Sequence, residues 1–246
     1  MPQPEPIEIK VNIAGEVDKA LSALRLGDGE PREVWFLEDL TAGVRPALPL
    51  LHAGIVLRLR RRRKNSGKTK EDSTVKLRPC RRSQLVGPWN SPLDPDYRIE
   101  GDWSRSRRVL AASHGADLDS GAIGRALDGG EIADVFTDQQ RAFLAACGDI
   151  GVALSGVTAL KPIAAAKWEG ISVGDVHESV DQVVAERWTV AGLDFLELSI
   201  RVETGELGAA AAQQKLTKAV ESVGLVIDDG DESKTARVMK RLAGLD

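Results

Sequence analysis

Several short stretches of the chain carry ionisable residues at every second position. Glu8 and Lys10 alternate with Ile7, Ile9 and Val11, and Arg58 and Arg60 alternate with Leu57 and Leu59. Thr74, Lys76 and Arg78 share one parity, as do Arg98, Glu100 and Asp102, and later acids fall at Glu186 and Glu197. A period of two marks a β-strand with one apolar and one polar face. If these polar faces line the inside of a barrel, they form an interior of cations and carboxylates. Leaving such charges buried and unpaired is strongly unfavourable, so the lining makes physical sense where a bound polyanion neutralises the cations. Arginine suits phosphate because its planar fork donates two parallel hydrogen bonds. The remaining carboxylates could hold magnesium or manganese, which take oxygen ligands and share them with phosphates. Such an ion could activate water for hydrolysis. Alternation alone leaves another reading open, in which the same faces meet solvent on one side of an open antiparallel sheet.

The elements that must position these residues follow from the same patterns. Ile7 to Ile13 reads as a strand, and Val17, Leu21 and Leu24 are spaced for a helix that ends near Gly27 and Gly29. Glu33 to Leu40 is a second strand, followed by a looser segment. Ile55 to Arg63 and the Thr74–Arg78 stretch form a hairpin through a polar, flexible turn spanning Lys64 to Ser73. Arg58, Arg60 and Arg62 then face one way, while Arg61 and Arg63 are predicted to be solvated. From about Ser104 to Asp149 the pattern turns helical, with Thr137 and Gln140 spaced as a capping box. That capped helix is expected to cover one end of a barrel. Further strands follow, with Trp188 on the face of Glu186; then comes an Ala-rich helix from Glu206 to Val223 and a short amphipathic helix near the C-terminus. Seven to nine strands without regular helical alternation argue for an α+β fold, antiparallel and closed or strongly curved, rather than a doubly wound sheet. The expected organisation is one domain over residues 1–246, with a mainly helical insertion at about 104–150.

Bulk properties narrow the partners. The 246 residues carry a net charge of −4, yet Arg58 to Arg82 holds twelve Lys or Arg against Glu71 and Asp72. A dense basic block in an acidic chain points to a local anion site. The acidic remainder and the lack of regularly interleaved aromatics argue against a nucleic-acid partner. Cys80 and Cys147 have no metal-ligand spacing, and His52, His114 and His177 are scattered. No signal-peptide pattern or membrane-spanning stretch is visible, so the sequence predicts a cytoplasmic protein without a membrane partner. No feature assigns an oligomeric partner.

Read in order, the motifs resemble the CYTH family, the triphosphate tunnel metalloenzymes, over most of the chain from about Ile7 to Leu242. Glu8-Ile-Lys10 resembles the end of the family's opening Glu-x-Glu-x-Lys strand, and Leu57-Arg58-Leu-Arg60 its Leu-Arg-x-Arg. Thr74-Val-Lys76, Arg98-Ile-Glu100-Gly-Asp102, Leu160-Lys-Pro162 with Lys167, Phe195-Leu-Glu197 and Ser233-Lys234 follow in family order. No one of these motifs is specific by itself; their order and spacing carry the resemblance.

The resemblance implies an eight-stranded antiparallel β tunnel with helices packed outside, gripping inorganic triphosphate or an organic triphosphate. It implies phosphate contacts from Lys10, Arg58, Arg60, Lys76, Arg78, Arg98, Lys167 and Lys234. Glu8, Glu100, Glu186 and Glu197 would hold Mg2+ or Mn2+, and Glu8, Lys10 and Glu197 would form the catalytic set of a metal-dependent triphosphatase. Two departures weigh against the metal. Pro6 stands where the opening motif has its first Glu, and Ser199 and Arg201 follow Glu197 where alternating acids are expected. A non-catalytic polyphosphate- or nucleotide-binding protein is therefore the alternative.

Overall fold

The computed structural model describes residues 5–41, 47–63, 67–203, 205–230 and 232–245. In chain order its elements are β1 (Ile7–Ile13), α1 (Val17–Ala23), β2 (Glu30–Glu38), α2 (Pro49–His52), β3 (Ile55–Arg63) and β4 (Thr69–Cys80). Then come β5 (Tyr97–Ser104), β6 (Arg107–Leu118), α3 (Ala122–Leu127), α4 (Asp138–Cys147), β7 (Thr158–Ala159) and β8 (Ile163–Gly174). The chain ends with β9 (Ser179–Val190), β10 (Leu193–Val202), α5 (Glu206–Ser222) and α6 (Lys234–Leu242). This is an α+β fold. Strand pairing runs β3-β4-β6-β5-β1-β10-β9-β8-β2-β7, and β3 also pairs with β2. The described strands number ten rather than the expected eight, and one of them, β7, has only two residues. Pairing is mostly antiparallel, with β1 and β5 a parallel pair.

The chain divides into two compact units. The first comprises Met1–Pro31, Glu100–Val109 and Ala164–Lys234, and the second comprises Arg32–Ile99, Leu110–Ile163 and Thr235–Asp246. In the first unit, Ile7, Ile9 and Val11 of β1 and Leu196, Leu198 and Ile200 of β10 are buried against Ala209, Leu216 and Val220 of α5. The alternate residues Glu8, Lys10, Glu197 and Ser199 therefore point to the opposite face. In the second unit, Trp35, Leu37, Leu57, Leu59, Val75 and Leu77 pack with Ile123 of α3 and with Phe143 and Leu144 of α4. That leaves Arg58, Arg60, Thr74, Lys76 and Arg78 on the face away from the helices. α5 packs on the apolar face of the first unit and α3 and α4 on that of the second, whereas Lys234 at the start of α6 reaches the charged face of the first.

Three expectations change. The segment from Ser104 does not turn helical at once: Arg107–Leu118 is a 12-residue strand, and the helices begin at Ala122. Its Ala111, Ala112 and Ala116 have high helix propensity and blur the alternation, and pairing with β4 decides the outcome. The capped helix α4 does not cover a barrel end but lies on the apolar side of β4 and β6. Gln140, fully buried, donates from Nε2 to the carbonyls of Ser73 (3.2 Å) and His114 (3.1 Å). The polar turn is also shorter than expected. Residues 64–66 lie outside the described residues, but Thr69 to Ser73 is already strand, paired with Leu59 to Arg63. Opposite charges across the two strands hold this stretch where apolar residues are lacking.

Candidate functional site

On the second unit's charged face, β2, β3 and β4 bring the basic residues into register. Phe36, Arg58 and Thr74 form one cross-strand row, and Val34, Arg60 and Asp72 the next. The Arg58 guanidinium donates to Thr74 Oγ1 at 3.2 Å. Arg60 Nε donates to Asp72 Oδ2 at 3.0 Å, and Arg62 approaches the same oxygen at 3.2 Å. A single buried carboxylate thus spaces two guanidinium groups on one face. Lys76 and Arg78 continue that face along β4 with the same parity. Arg32, directly across from Arg62, adds another buried cation. Carboxylates on the same face include Asp72, the exposed Asp117 and Glu38. Glu38 is tied up elsewhere, since its carboxylate caps α2 through the amides of Leu50 and Leu51, both at 2.9 Å. Burial pushes the Glu38 carboxyl upward in pKa, against the lowering effect of those amides. Arg98 lies on β5 and is exposed.

Arg61 is not solvated as expected. Its Nε donates to Glu71 at 2.7 Å, with Glu33 at 3.1 Å, and the guanidinium stacks over Trp35. Glu71 is buried and also accepts from the Ile123 amide at 3.0 Å, which ties α3 to β4. This pair lies on the helix side, away from Arg58 and Arg60.

The first unit's charged face is built differently. Lys10, 9% exposed, sits 2.7 Å from Glu8 and 2.8 Å from Asp102. Lys234, 5% exposed, reaches Glu186 at 3.0 Å and Glu197 at 3.2 Å and lies 4.1 Å over the Trp188 ring. Burial alone would lower the Lys234 pKa, but the charges of Glu186 and Glu197 outweigh it and hold the ammonium above the ordinary lysine range. Arg201 donates to Glu100 at 3.1 Å, and Lys167 pairs with Glu169. Sequence reading singled out Lys10 and Lys234 as cations but assigned no role to Arg201, Asp102, Asp72 or Arg62 as ion-pair partners. Their cross-strand partners become visible only once register is known.

A divalent ion can be tested against this donor set. Among the described residues, no group of three or more His, Cys, Asp or Glu side chains is placed to hold a metal ion. Glu8, Glu100, Glu186 and Glu197, the expected ligands, each have a cation of the chain itself within 3.2 Å. To take a magnesium ion, Glu186 and Glu197 would have to release Lys234 and leave its ammonium buried without them. The carboxylates present do not fit a divalent ion. A cavity of about 950 Å³ in the same unit, between α5 and the turn at Arg105 and Ser106, includes none of the residues expected to bind phosphate or metal.

The mostly antiparallel sheet with helices against its apolar faces is a CYTH-type fold. No protein-family profile and no curated protein matches the chain. Solved structures do. A provisionally assigned adenylate cyclase from Bacillus halodurans aligns with TM-score 0.57 and 15% identity, over 96% of this chain and 98% of that one. An adenylyl cyclase candidate from Hippeastrum, described as having a dominant triphosphatase activity, aligns with TM-score 0.56 and 14% identity, over 96% of this chain and 95% of that one. A Pyrococcus horikoshii protein aligns with TM-score 0.50 and 14% identity, over 96% and 99% of the two chains. At this identity the likeness is one of fold.

Proposed function

We propose that this protein binds a triphosphate-containing anion through the basic face of β3 and β4. The observation that carries this reading is the set Arg58, Arg60, Lys76 and Arg78 on one face, backed by the apolar core. Guanidinium groups set side by side on a rigid hairpin match the successive oxygens of a polyphosphate, and charge-assisted hydrogen bonds of this kind are the strong ones. Arg98 is a further phosphate contact in this reading. Lys10, Lys167 and Lys234 lie among the carboxylates of the first unit, and in this reading they balance those acids rather than grip phosphate.

Titration calorimetry with sodium tripolyphosphate and with orthophosphate tests the reading. It predicts that tripolyphosphate binds at least about tenfold more tightly, since one further charge-assisted bond is worth roughly 1.5 kcal/mol or more. Equal affinities would contradict it.

A second reading, turnover, is favoured by the triphosphatase activity of the similarly folded Hippeastrum protein. Its measure is orthophosphate release from tripolyphosphate, with and without Mg2+ or Mn2+.

A further inference from the structure

The carboxylates expected to hold a metal raise a separate question. Each lies in a cluster that contains its own fixed cation. Lys10 joins Glu8 and Asp102, Lys234 joins Glu186 and Glu197, and Arg201 joins Glu100 and Glu203. Two of these cations are almost fully buried; strand register places the carboxylates Glu8, Asp102, Glu186 and Glu197, while Lys234 comes from α6. Glu197 stands directly across from Glu186, and Glu8 directly across from Arg201. On β10 the parity that begins with Glu197 continues through Ser199 to Arg201, so a cation ends the row of polar residues.

We propose that Lys10, Lys234 and Arg201 stand in for a divalent ion, so that this protein takes its polyphosphate as the metal-free anion. Magnesium needs near-octahedral oxygen ligands at about 2.1 Å and gives up its waters reluctantly. A carboxylate pair bridged by a buried ammonium offers neither the charge nor the room. Lys234 is held from three sides by Glu186, Glu197 and the Trp188 ring, and removing its carboxylates would leave a desolvated cation. Arg201 supplies positive charge beside Glu100. In solution, Mg2+ chelates tripolyphosphate and lowers its charge. The basic face of β3 and β4 should therefore prefer the uncomplexed anion.

This inference rests on the triphosphate reading above, and one experiment separates the two. Sodium tripolyphosphate is titrated into the full-length protein in EDTA and again in excess Mg2+. Binding in EDTA that is as tight as in Mg2+, or tighter, is the expected result. Binding in Mg2+ with none in EDTA, or a tightening by Mg2+ of tenfold or more (about 1.4 kcal/mol), would overturn this proposal while leaving the triphosphate reading intact. No binding in either buffer would defeat both. A second measurement needs no phosphate: Mn2+ titrated into the ligand-free protein and followed by electron paramagnetic resonance should remain free. Arg201→Glu, which places an acid beside Glu100, should acquire a bound Mn2+ signal. Stoichiometric Mn2+ binding by the unaltered protein would contradict the proposal.

Discussion

Glu186 and Glu197 stand directly opposite each other on β9 and β10, and a single ammonium, Lys234 Nζ, lies 3.0 Å from one and 3.2 Å from the other. Like charges placed across a strand pair repel, so this row of the sheet is stable only with the lysine in place. Lys234 is the first residue of α6.

Lys234→Met keeps most of the apolar stem and removes the charge. It is expected to destabilise the protein by about 3 kcal/mol, the lower end for breaking a buried pair, because Glu186 and Glu197 keep some solvent contact. Urea unfolding checks this. The pH dependence has a definite sign. The folded-state pKa of Lys234 is raised, so its contribution is complete below the ordinary lysine value and is lost as pH climbs through the raised one. The gap between wild type and variant should stay constant through the neutral range and narrow only above the lysine range. A gap that closes near neutrality would contradict the pairing.

Glu71→Ala tests the assignment of faces. The variant loses the Arg61 pair and the acceptor for the Ile123 amide, and should lose about 3 kcal/mol of stability by urea unfolding. Its affinity for tripolyphosphate, measured where the variant is still folded, should not change. A fall in affinity at full folding would mean that Arg61, not Arg58 and Arg60, faces the anion.

Arg58→Lys retains the charge but loses the planar fork. Tripolyphosphate affinity should fall about tenfold, as expected when a bidentate contact becomes a point charge. Stability should move by less than about 1 kcal/mol, because the charge is retained and the part-buried bond to Thr74 has a neutral acceptor. An unchanged affinity would remove Arg58 from the site.

Much of this arrangement was legible in the residues. Glu8-x-Lys10, Leu57-Arg58-x-Arg60 and Thr74-x-Lys76 alternate cleanly with apolar neighbours, and alternation alone assigns each side chain to a face. The Thr137 and Gln140 capping box was also legible, because its two reciprocal hydrogen bonds are local in sequence. What the sequence hid was non-local. β6 carries small residues that suit either a helix or a strand, and only its pairing with β4 decides. Asp72 looked like part of a turn until register placed it across from Arg60. Arg201 read as a departure from an acidic pattern, and its partner Glu100 is 101 residues away.

The central claim is that the Arg58 and Arg60 face binds triphosphate. Arg60→Ala leaves Asp72 with Arg62 at 3.2 Å, so the double variant Arg58→Ala/Arg60→Ala should fold, which circular dichroism can verify. Calorimetric titration of sodium tripolyphosphate into wild type and double variant tests the claim most directly. The account predicts saturable binding by wild type and a loss of at least about a hundredfold in the variant, from two charge-assisted contacts of roughly 1.5 kcal/mol each. A folded double variant that binds as tightly as wild type would contradict it.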